Sequence, residues 1–243
     1  MSSLITKTIE PQTGTTVTLG AAGDTVDIAA SQLKTNTVKD AGGNTLFTSD
    51  GAGTLSSVNS SLSGSMVFIS SQIVTSSSAS VSFTSGIDST YDEYVFVYID
   101  IHPSAEANFR FQADTSTGTG YATTMTTTNY SAYQTVGTPP PTVAWQGGSS
   151  VQAQGTSFQP LTEGISSDSD HSGSGILHVF NPASTTYVKN FYSKSQMTAG
   201  WHGAVTTQVV AGYFNTTSAL SKFQFKLNTG TIDAGTFYLY GIN

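Results

Sequence analysis

The sequence predicts an all-β protein, in which an N-terminal segment of short strands is followed by a jelly-roll-like β-sandwich. Three observations favour this fold class. β-Branched and aromatic residues alternate with polar residues along most of the chain. Clusters of Gly, Asn-Thr and Ser interrupt these runs at short intervals, as turns do. Helical periodicity is weak, and the candidate window 29–39 carries Thr, Asn and Val, which are modest helix formers.

Aromatic residues divide the chain into two parts. Residues 1–64 contain one aromatic residue, Phe47, whereas the rest of the chain holds all eleven Tyr, both Trp and the other twelve Phe. The stretch 51–65, GAGTLSSVNSSLSGS, has the composition of a flexible connector. We therefore expect residues 1–64 to be an oligomerisation or attachment segment and residues 65–243 to be a sandwich head.

The N-terminal segment has short strands with thin apolar faces. Val17 and Leu19, and then Val26 and Ile28, alternate with Thr and Asp. So few large apolar side chains bury too little surface to order the segment alone. We expect identical chains to share these four residues as an oligomer interface, with three copies around an axis. The alternative is a flexible tail that becomes ordered only on a binding partner.

The second part contains about eight predicted strands, as in a β-sandwich or jelly roll. The strongest is YDEYVFVYIDIHP, residues 91–103, which carries apolar residues on both faces and is therefore predicted to be a central strand that ends at Pro103. Residues 118–155, which include TPPP, are predicted to form a long loop at a functional edge. The other strand candidates are residues 66–74, residues 80–83 and the segments NFRFQAD, GILHVF, YVKNFYSKSQM, QVVAGYF, KFQFKLN and TFYLYGI.

Charge and composition exclude several classes of partner. The net charge is −7, and the eight Lys and Arg residues include a single arginine, so a nucleic-acid partner is not expected. No apolar run approaches the ~20 residues of a membrane helix, and the N-terminus lacks the pattern of a secretory signal. Ser and Thr supply roughly 30% of the residues, so hydroxyl groups are expected to solvate the surface.

No catalytic motif occurs in a usable context, so we expect no enzymatic activity, no catalytic residue and no cofactor. Asp92 and Glu93 are adjacent on a strand and point to opposite faces, which excludes them as a glycosidase pair. DSDHSG, residues 168–173, lacks the spacing of a calcium loop, so a surface turn is favoured over an ion site. His178 alternates with apolar neighbours and is expected to be a residue of the sandwich with its polar groups satisfied.

Sugar binding is the alternative to a purely structural role. Trp145 and Gln146 lie in TVAWQGG, and Trp201 and His202 lie in TAGWHGA. Two tyrosines lie in NYSAYQ, residues 129–134. All these segments are polar, and exposed aromatic rings beside amide donors suit a glycan. The competing interpretation is that these rings fill the rim of the sandwich or a subunit interface.

Several segments resemble small structural proteins of marine tailed bacteriophages. The resemblance rests on the ending AGYFNTTSALSKFQFKLNTGTIDAGTFYLYGIN, on the segments YDEYVFVYIDIHPS and LHVFNPASTTYVKNFYS, and on the opening ITKTIEPQTGTTVTLGAAGDTVDIAASQLKTN. It implies a fibre or head-decoration protein with an oligomeric stem and a jelly-roll head. Such a protein would be made in the host cytoplasm and displayed on the virion surface.

The resemblance also implies partners. They would be other copies of the chain, a capsid or tail protein of the same virion and, for a fibre tip, a host surface glycan. No functional residue of that group is carried over to this chain. The alternative class is a cellular carbohydrate-binding module, which we would expect to be monomeric and exported.

Overall fold

The computed structural model describes residues 35–52, 55–56, 58–59 and 65–242. The chain divides into two compact units, Met1–Leu62 and Ser63–Asn243. The all-β prediction is confirmed, because the described residues form sixteen strands and two single turns of 3-10 helix. No helix among the described residues is long and apolar enough to cross a membrane. The predicted interface residues Val17, Leu19, Val26 and Ile28 lie outside the described residues.

The first unit contains a small antiparallel sheet of three strands, β1 (Thr37–Lys39), β2 (Thr45–Ser49) and β3 (Leu55–Ser56), in the order β1-β2-β3. Asp40 fixes the turn between β1 and β2. Its carboxylate accepts hydrogen bonds from the backbone N–H of Asn44 at 2.8 Å and from the Asn44 side-chain amide at 3.0 Å. These bonds lower the pKa of Asp40 from its ordinary value.

The second unit contains thirteen strands. They are β4 (Met66–Val74), β5 (Val81–Phe83), β6 (Glu93–Pro103), β7 (Phe109–Thr115), β8 (Met125–Thr135), β9 (Thr138–Trp145), β10 (Ala153–Gly155), β11 (Gln159–Pro160), β12 (Gly173–Phe180), β13 (Lys189–Ala199), β14 (Ala204–Phe214), β15 (Leu220–Leu227) and β16 (Ile232–Ile242). Nine of them form one antiparallel sheet in the order β10-β8-β14-β13-β12-β6-β16-β4, with β9 also paired to β8. The other four form a second antiparallel sheet in the order β11-β7-β15-β5.

Aromatic side chains join the two sheets face to face. Phe96 of the large sheet packs against Phe225 of the small sheet, with ring centroids 5.4 Å apart. Tyr98 packs against Phe109 at 4.9 Å in the same way. All four side chains are fully buried. The predicted two-layer β-sandwich is therefore confirmed, and its core is an aromatic layer between the sheets.

Strand β6 lies between β12 and β16, so the prediction of a central strand at residues 91–103 is confirmed. Its aromatic residues Tyr94, Phe96 and Tyr98 are buried in the core. At Asp100 the backbone adopts a positive φ of 54°, and the register with β12 shifts beside it. This bulge interrupts the alternation, so that Ile101 is fully buried.

The prediction that residues 118–155 form a long loop is wrong. Most of this segment belongs to β8, β9 and β10 at one end of the large sheet. The inward-facing residues Asn129 and Ser131 of β8 are buried but polar. Asn129 donates to the carbonyl of Ser150 at 3.0 Å and accepts from the amide of Gln208 at 3.2 Å. The strand thus lacks the apolar alternation by which sequence patterns identify strands.

A buried hydroxyl network lies within the core of the sandwich. The Tyr98 hydroxyl lies 3.0 Å from Ser193 Oγ and 2.5 Å from Ser195 Oγ. Gly175 makes room for it, since a Cβ there would lie 2.7 Å from the Tyr98 hydroxyl and 2.6 Å from the Lys194 carbonyl oxygen. Burial raises the pKa of Tyr98 to about 12, although both serines favour the ionised form.

We expect Tyr98 to make the protein less stable above pH 10. The unfolded chain releases this proton near pH 10, whereas the folded chain keeps it to about pH 12. The contribution of Tyr98 to the free energy of unfolding is therefore complete below pH 10, and it falls by about 1.4 kcal/mol per pH unit between pH 10 and pH 12. Urea denaturation from pH 9 to 12 should show a shallower decline for Tyr98→Phe than for the wild type. Equal declines would contradict this assignment.

Candidate functional site

The side of the nine-stranded sheet that faces away from the core, called here the outer face, exposes many large apolar side chains. Strand alternation places them on this side, because their neighbours in sequence point into the core. Buried Leu177 and Val179, for example, alternate with exposed Ile176 and Phe180. The exposed apolar residues on this face are Met66, Phe68, Ile73, Ile99, Tyr130, Val143, Trp145, Ile176, Phe180, Tyr192 and Val205.

The strand register shows that this surface is continuous. Residues that pair directly across antiparallel strands lie on the same face of a sheet. One row of such partners crosses eight strands, from β9 to β4. It comprises Trp145, Tyr130, Val209, Lys194, Ile176, Val97, Tyr238 and Ser71.

Three groups of rings lie on the outer face, one of which is the Trp145–Tyr130 pair. The His178 ring stacks on Tyr192, with centroids 4.4 Å apart and planes 7° apart, and Phe180 lies 5.9 Å from Tyr192. Glu93 contacts His178 Nδ1 from the neighbouring strand. His178 is thus a partly buried residue of the sandwich with a side-chain partner, as expected, and its ring lies on the outer face. Farther across the sheet, Tyr240 packs edge-on against Phe68 at 5.8 Å.

Charged groups are scarce on the outer face. In the described strands of this sheet, Glu93, Asp100 and Asp233 lie near strand ends, and Lys189 points into the core. Lys194 is the charged residue of these strands that lies over the middle of the face. The acidic residues that give the chain its net charge of −7 therefore lie largely outside this surface.

A shallow hollow of about 460 Å³ lies on the outer face beside the Tyr192 ring. It is lined by Thr126, Thr128, Asn190, Ala211 and Tyr213, among others. The small side chains on β8 and β14 leave this space between the larger rings. A second hollow of about 270 Å³, lined by Ser174, Gln196, Thr198 and Val205 among others, lies nearer one end of the same strands. The outer face is thus a broad aromatic and aliphatic surface with shallow depressions.

Trp145 and Gln146, which were proposed from the sequence as a sugar-binding pair, face opposite sides of the sheet. Trp145 is 78% exposed and packs edge-on against Tyr130 at 5.6 Å on the outer face. The Gln146 side-chain amide donates to Ser131 Oγ at 2.7 Å on the other side of the strand. Trp145 is therefore available to a partner, whereas Gln146 is held within the protein.

Trp201 is also on the opposite side from Trp145. Its ring packs edge-on against Tyr133 at 4.9 Å, and its Nε1–H donates to the Glu163 carbonyl at 3.4 Å. Tyr133 and Tyr130 are an odd number of residues apart on β8, so they point to opposite faces. His202 lies in the 3-10 turn Trp201–Gly203, and its side chain is outside the part of the chain that the structure describes. The two tryptophans therefore do not share a site.

The DSDHSG segment lies at the rim of the large sheet. His171 Nδ1 lies 3.5 Å from Asp168 Oδ2, and its Nε2 lies 3.8 Å from Asp170 Oδ1. His102 Nδ1 lies 2.9 Å from the His171 carbonyl oxygen. Within the described residues, no group of three or more His, Cys, Asp or Glu side chains is arranged to hold a metal ion.

Comparisons of this chain with protein-family models, curated proteins and solved structures found no match. The outer face is therefore the candidate site on its own physical features, which are its breadth, its exposed rings and its scarcity of charge. Sequence patterns pointed to Trp145 on this face but missed Phe180 and Tyr192. The signal that could have found them is the presence of large apolar residues at adjacent positions, Val179 and Phe180 in β12 and Phe191 and Tyr192 in β13, because adjacent residues of a strand lie on opposite faces.

We expect the two tryptophans to differ in solvent access. In dilute protein, acrylamide should quench the fluorescence of Trp145 in the Trp201→Phe variant several-fold more efficiently than that of Trp201 in the Trp145→Phe variant. The reason is that Trp145 is 78% exposed, whereas Trp201 is half-buried. Emission from Trp145 should also lie at longer wavelength. Equal quenching of both variants would contradict the placement of these rings.

Proposed function

We propose that this protein is a structural component of a bacteriophage virion, a homotrimeric fibre or head-decoration protein without catalytic activity. Residues 1–64 would join the copies through Val17, Leu19, Val26 and Ile28, and the sandwich would form the head. The observation that carries the proposal is the broad, aromatic and nearly uncharged outer face of the large sheet. A second copy of the chain is the occupant that best fits this surface.

The size of the outer face supports contact between copies. The sheet is eight strands wide, because β9 and β10 share one edge of β8, and at ~4.8 Å spacing and ~25 Å strand length its face presents about 1,000 Å². A stable protein interface buries about 800 Å² on each partner. One face of this sheet is therefore large enough for a stable contact.

The charge distribution also supports a second copy as the partner. Each chain carries a net charge of −7, so two copies repel each other when their acidic surfaces meet. On the outer face, Lys194 is the charged residue over the middle, and Glu93 contacts His178. Depletion of charge and enrichment of Tyr, Trp and Phe are features of the centre of protein interfaces.

We also infer a jelly-roll head from the order of the strands. The neighbouring strands β4, β16, β6 and β12 of the large sheet face β5, β15, β7 and β11 of the small sheet. Numbered along the chain, these eight strands follow the orders 1-8-3-6 and 2-7-4-5, the wrapping of two Greek keys. Strands β8–β10 and β13–β14 would then be insertions that widen one sheet.

The assignment to a virion rests on the resemblance to structural proteins of marine tailed phages. The proposed partners are therefore other copies of the chain and a capsid or tail protein, and the proposed location is the virion surface after synthesis in the host cytoplasm. A surface rich in Ser and Thr, with few ionic groups, suits saline surroundings in which ionic contacts are screened.

We expect the full chain to sediment as a trimer, at three times the 25.3 kDa of one copy. The Ile176→Lys variant should weaken this association at least tenfold, because it places a second cation beside Lys194 in the middle of the outer face. Val136→Lys is the matched control, since Val136 is exposed in the turn after β8. Analytical ultracentrifugation across a concentration series measures both effects.

Two results would reject this contact surface: a wild type that stays monomeric at high concentration, or variants Ile176→Lys and Val136→Lys that associate equally well. The virion assignment has a separate test. Gold-labelled antibodies against the sandwich should bind intact tailed phage particles from the source culture. If the protein forms trimers but the antibodies do not label phage particles, the proposed oligomer is supported and the virion assignment is rejected.

A second candidate function, glycan binding at a fibre tip or by a cellular carbohydrate-binding protein, is favoured by one observation. Trp145 is 78% exposed and is held edge-on by Tyr130, which leaves its ring open to a sugar. Gln146 and Trp201 face the other side of the sheet. This proposal therefore depends on the Trp145–Tyr130 pair.

For this second function, we expect Trp145→Ala to reduce binding on a glycan array at least tenfold, because it removes the stacking surface. The Tyr187→Ala variant is the control, since Tyr187 is an exposed ring outside the strands of the large sheet. Binding that survives the loss of Trp145, or an array with no bound glycan, would argue against this function.

A further inference from the structure

The outward side of the four-stranded sheet concentrates positive charge in an acidic protein. Strand register places Arg110 opposite Lys226 and Asp114 opposite Lys222 on this side. The intervening residues of β7 and β15, such as Phe111 and Phe225, point into the core. Three of the eight Lys and Arg residues of the chain thus lie on one small sheet.

The one carboxylate among these partners is already engaged. Asp114 lies 3.7 Å from Lys222 Nζ and accepts hydrogen bonds from the Thr119 hydroxyl at 2.8 Å and the Thr119 backbone N–H. Burial opposes its ionisation, but these hydrogen bonds and Lys222 lower the pKa of Asp114 overall. Asp114 therefore neutralises Lys222, and it leaves Arg110 and Lys226 without a paired carboxylate.

Arg110 and Lys226 lack such a counter-charge among the described residues. The Arg110 Nε–H is buried and has no hydrogen-bond partner there, and partial burial lowers the pKa of this guanidinium. Lys226 Nζ is held 3.8 Å from the centre of the Phe158 ring. Like charges directly opposite each other on antiparallel strands destabilise a sheet, and an unsatisfied buried donor adds to this cost.

We propose that Arg110 and Lys226 form a binding site for an oxyanion, namely a carboxylate, sulfate or phosphate group. The two terminal Nη groups of the half-buried, planar guanidinium offer paired N–H donors that match two oxygens of such a group. Strand register places Lys226 opposite Arg110, so its ammonium adds a point charge on the same side of the sheet. The ring of Phe158 positions that ammonium. The bound anion supplies the counter-charge that Arg110 and Lys226 do not find in the described chain.

This site is independent of the proposed function. It lies on the four-stranded sheet, on the opposite side of the sandwich from the outer face of the large sheet. The anion could be free in solution or carried by an acidic saccharide. Both sources present the same oxygens to Arg110, so the test compares them directly.

The sequence provides a clean spectroscopic test, because Arg110 is the sole arginine of the chain. The Nε–Hε group of the ¹⁵N-labelled full chain therefore gives a single arginine signal. Sodium sulfate, sodium phosphate and sodium glucuronate are titrated in turn, with sodium chloride at equal ionic strength as the reference. We expect a saturable shift of this signal with at least one oxyanion and none with chloride.

Matched variants distinguish the site from general salt effects. Lys226→Gln should weaken oxyanion binding about tenfold, whereas Lys194→Gln, which removes a cation from the other sheet, should leave it unchanged. Sulfate stabilises most proteins by exclusion from their surface, so melting temperatures are compared as differences between these variants. Arg110→Gln should lose the anion-specific part of the thermal shift.

The outcomes are distinct. A shift with glucuronate alone identifies a saccharide carboxylate as the source, and a shift with sulfate or phosphate identifies a free anion. If no oxyanion shifts the Arg110 signal, or if Arg110→Gln and Lys226→Gln respond to sulfate as the wild type and Lys194→Gln do, the site is rejected. None of these results depends on whether the protein forms trimers or belongs to a virion.

Discussion

The packing of a narrow sheet against a wide one is the constraint on which the rest of the structure depends. Four strands at ~4.8 Å spacing cannot cover nine. Where the two sheets face each other, the interior is aromatic, as between Phe96 and Phe225. At β8 and β14 the inward-facing residues include Asn129, Ser131 and Gln208, which are buried by connecting chain and satisfied in part by hydrogen bonds. The interior therefore changes from hydrophobic to polar along the large sheet.

The width of the large sheet also makes its outer face broad. The small sheet covers one side of the large sheet, and nothing described in the second unit covers the other, so rings such as Tyr192, Phe180 and Trp145 remain accessible. Leaving a surface of this breadth with few charges in water costs free energy, and the proposed association of copies would remove it from water. The outward side of the small sheet is charged, because Arg110, Lys222 and Lys226 lie on it. The two sides of the sandwich thus offer different chemistry to different partners.

The sequence predicted those elements whose inward residues are apolar. The segment at residues 91–103 was identified as a central strand because Phe96 and Tyr98 on one side and Val95 and Val97 on the other are all apolar. Strand β8 was missed because its buried positions hold Asn and Ser, which sequence patterns assign to loops. Exposure of Trp145 was foreseeable from its polar surroundings. The separation of Trp145 from Trp201, and the pairing of Arg110 with Lys226, follow from strand register between distant segments, which local pattern does not encode.

The left-handed residue in β6 has a further consequence. Before Asp100, even-numbered side chains of this strand enter the core, and after it the odd-numbered Ile101 and Pro103 do so. The one extra residue thus shifts the alternation, so that the two parts of the strand bury residues of opposite parity. Asn or Gly could replace Asp100 at little cost, because both tolerate this backbone conformation. Deletion of this one residue would instead reverse which side chains at the end of the strand face the core, so both the length of the strand and the small set of residues that tolerate a positive φ are constrained here.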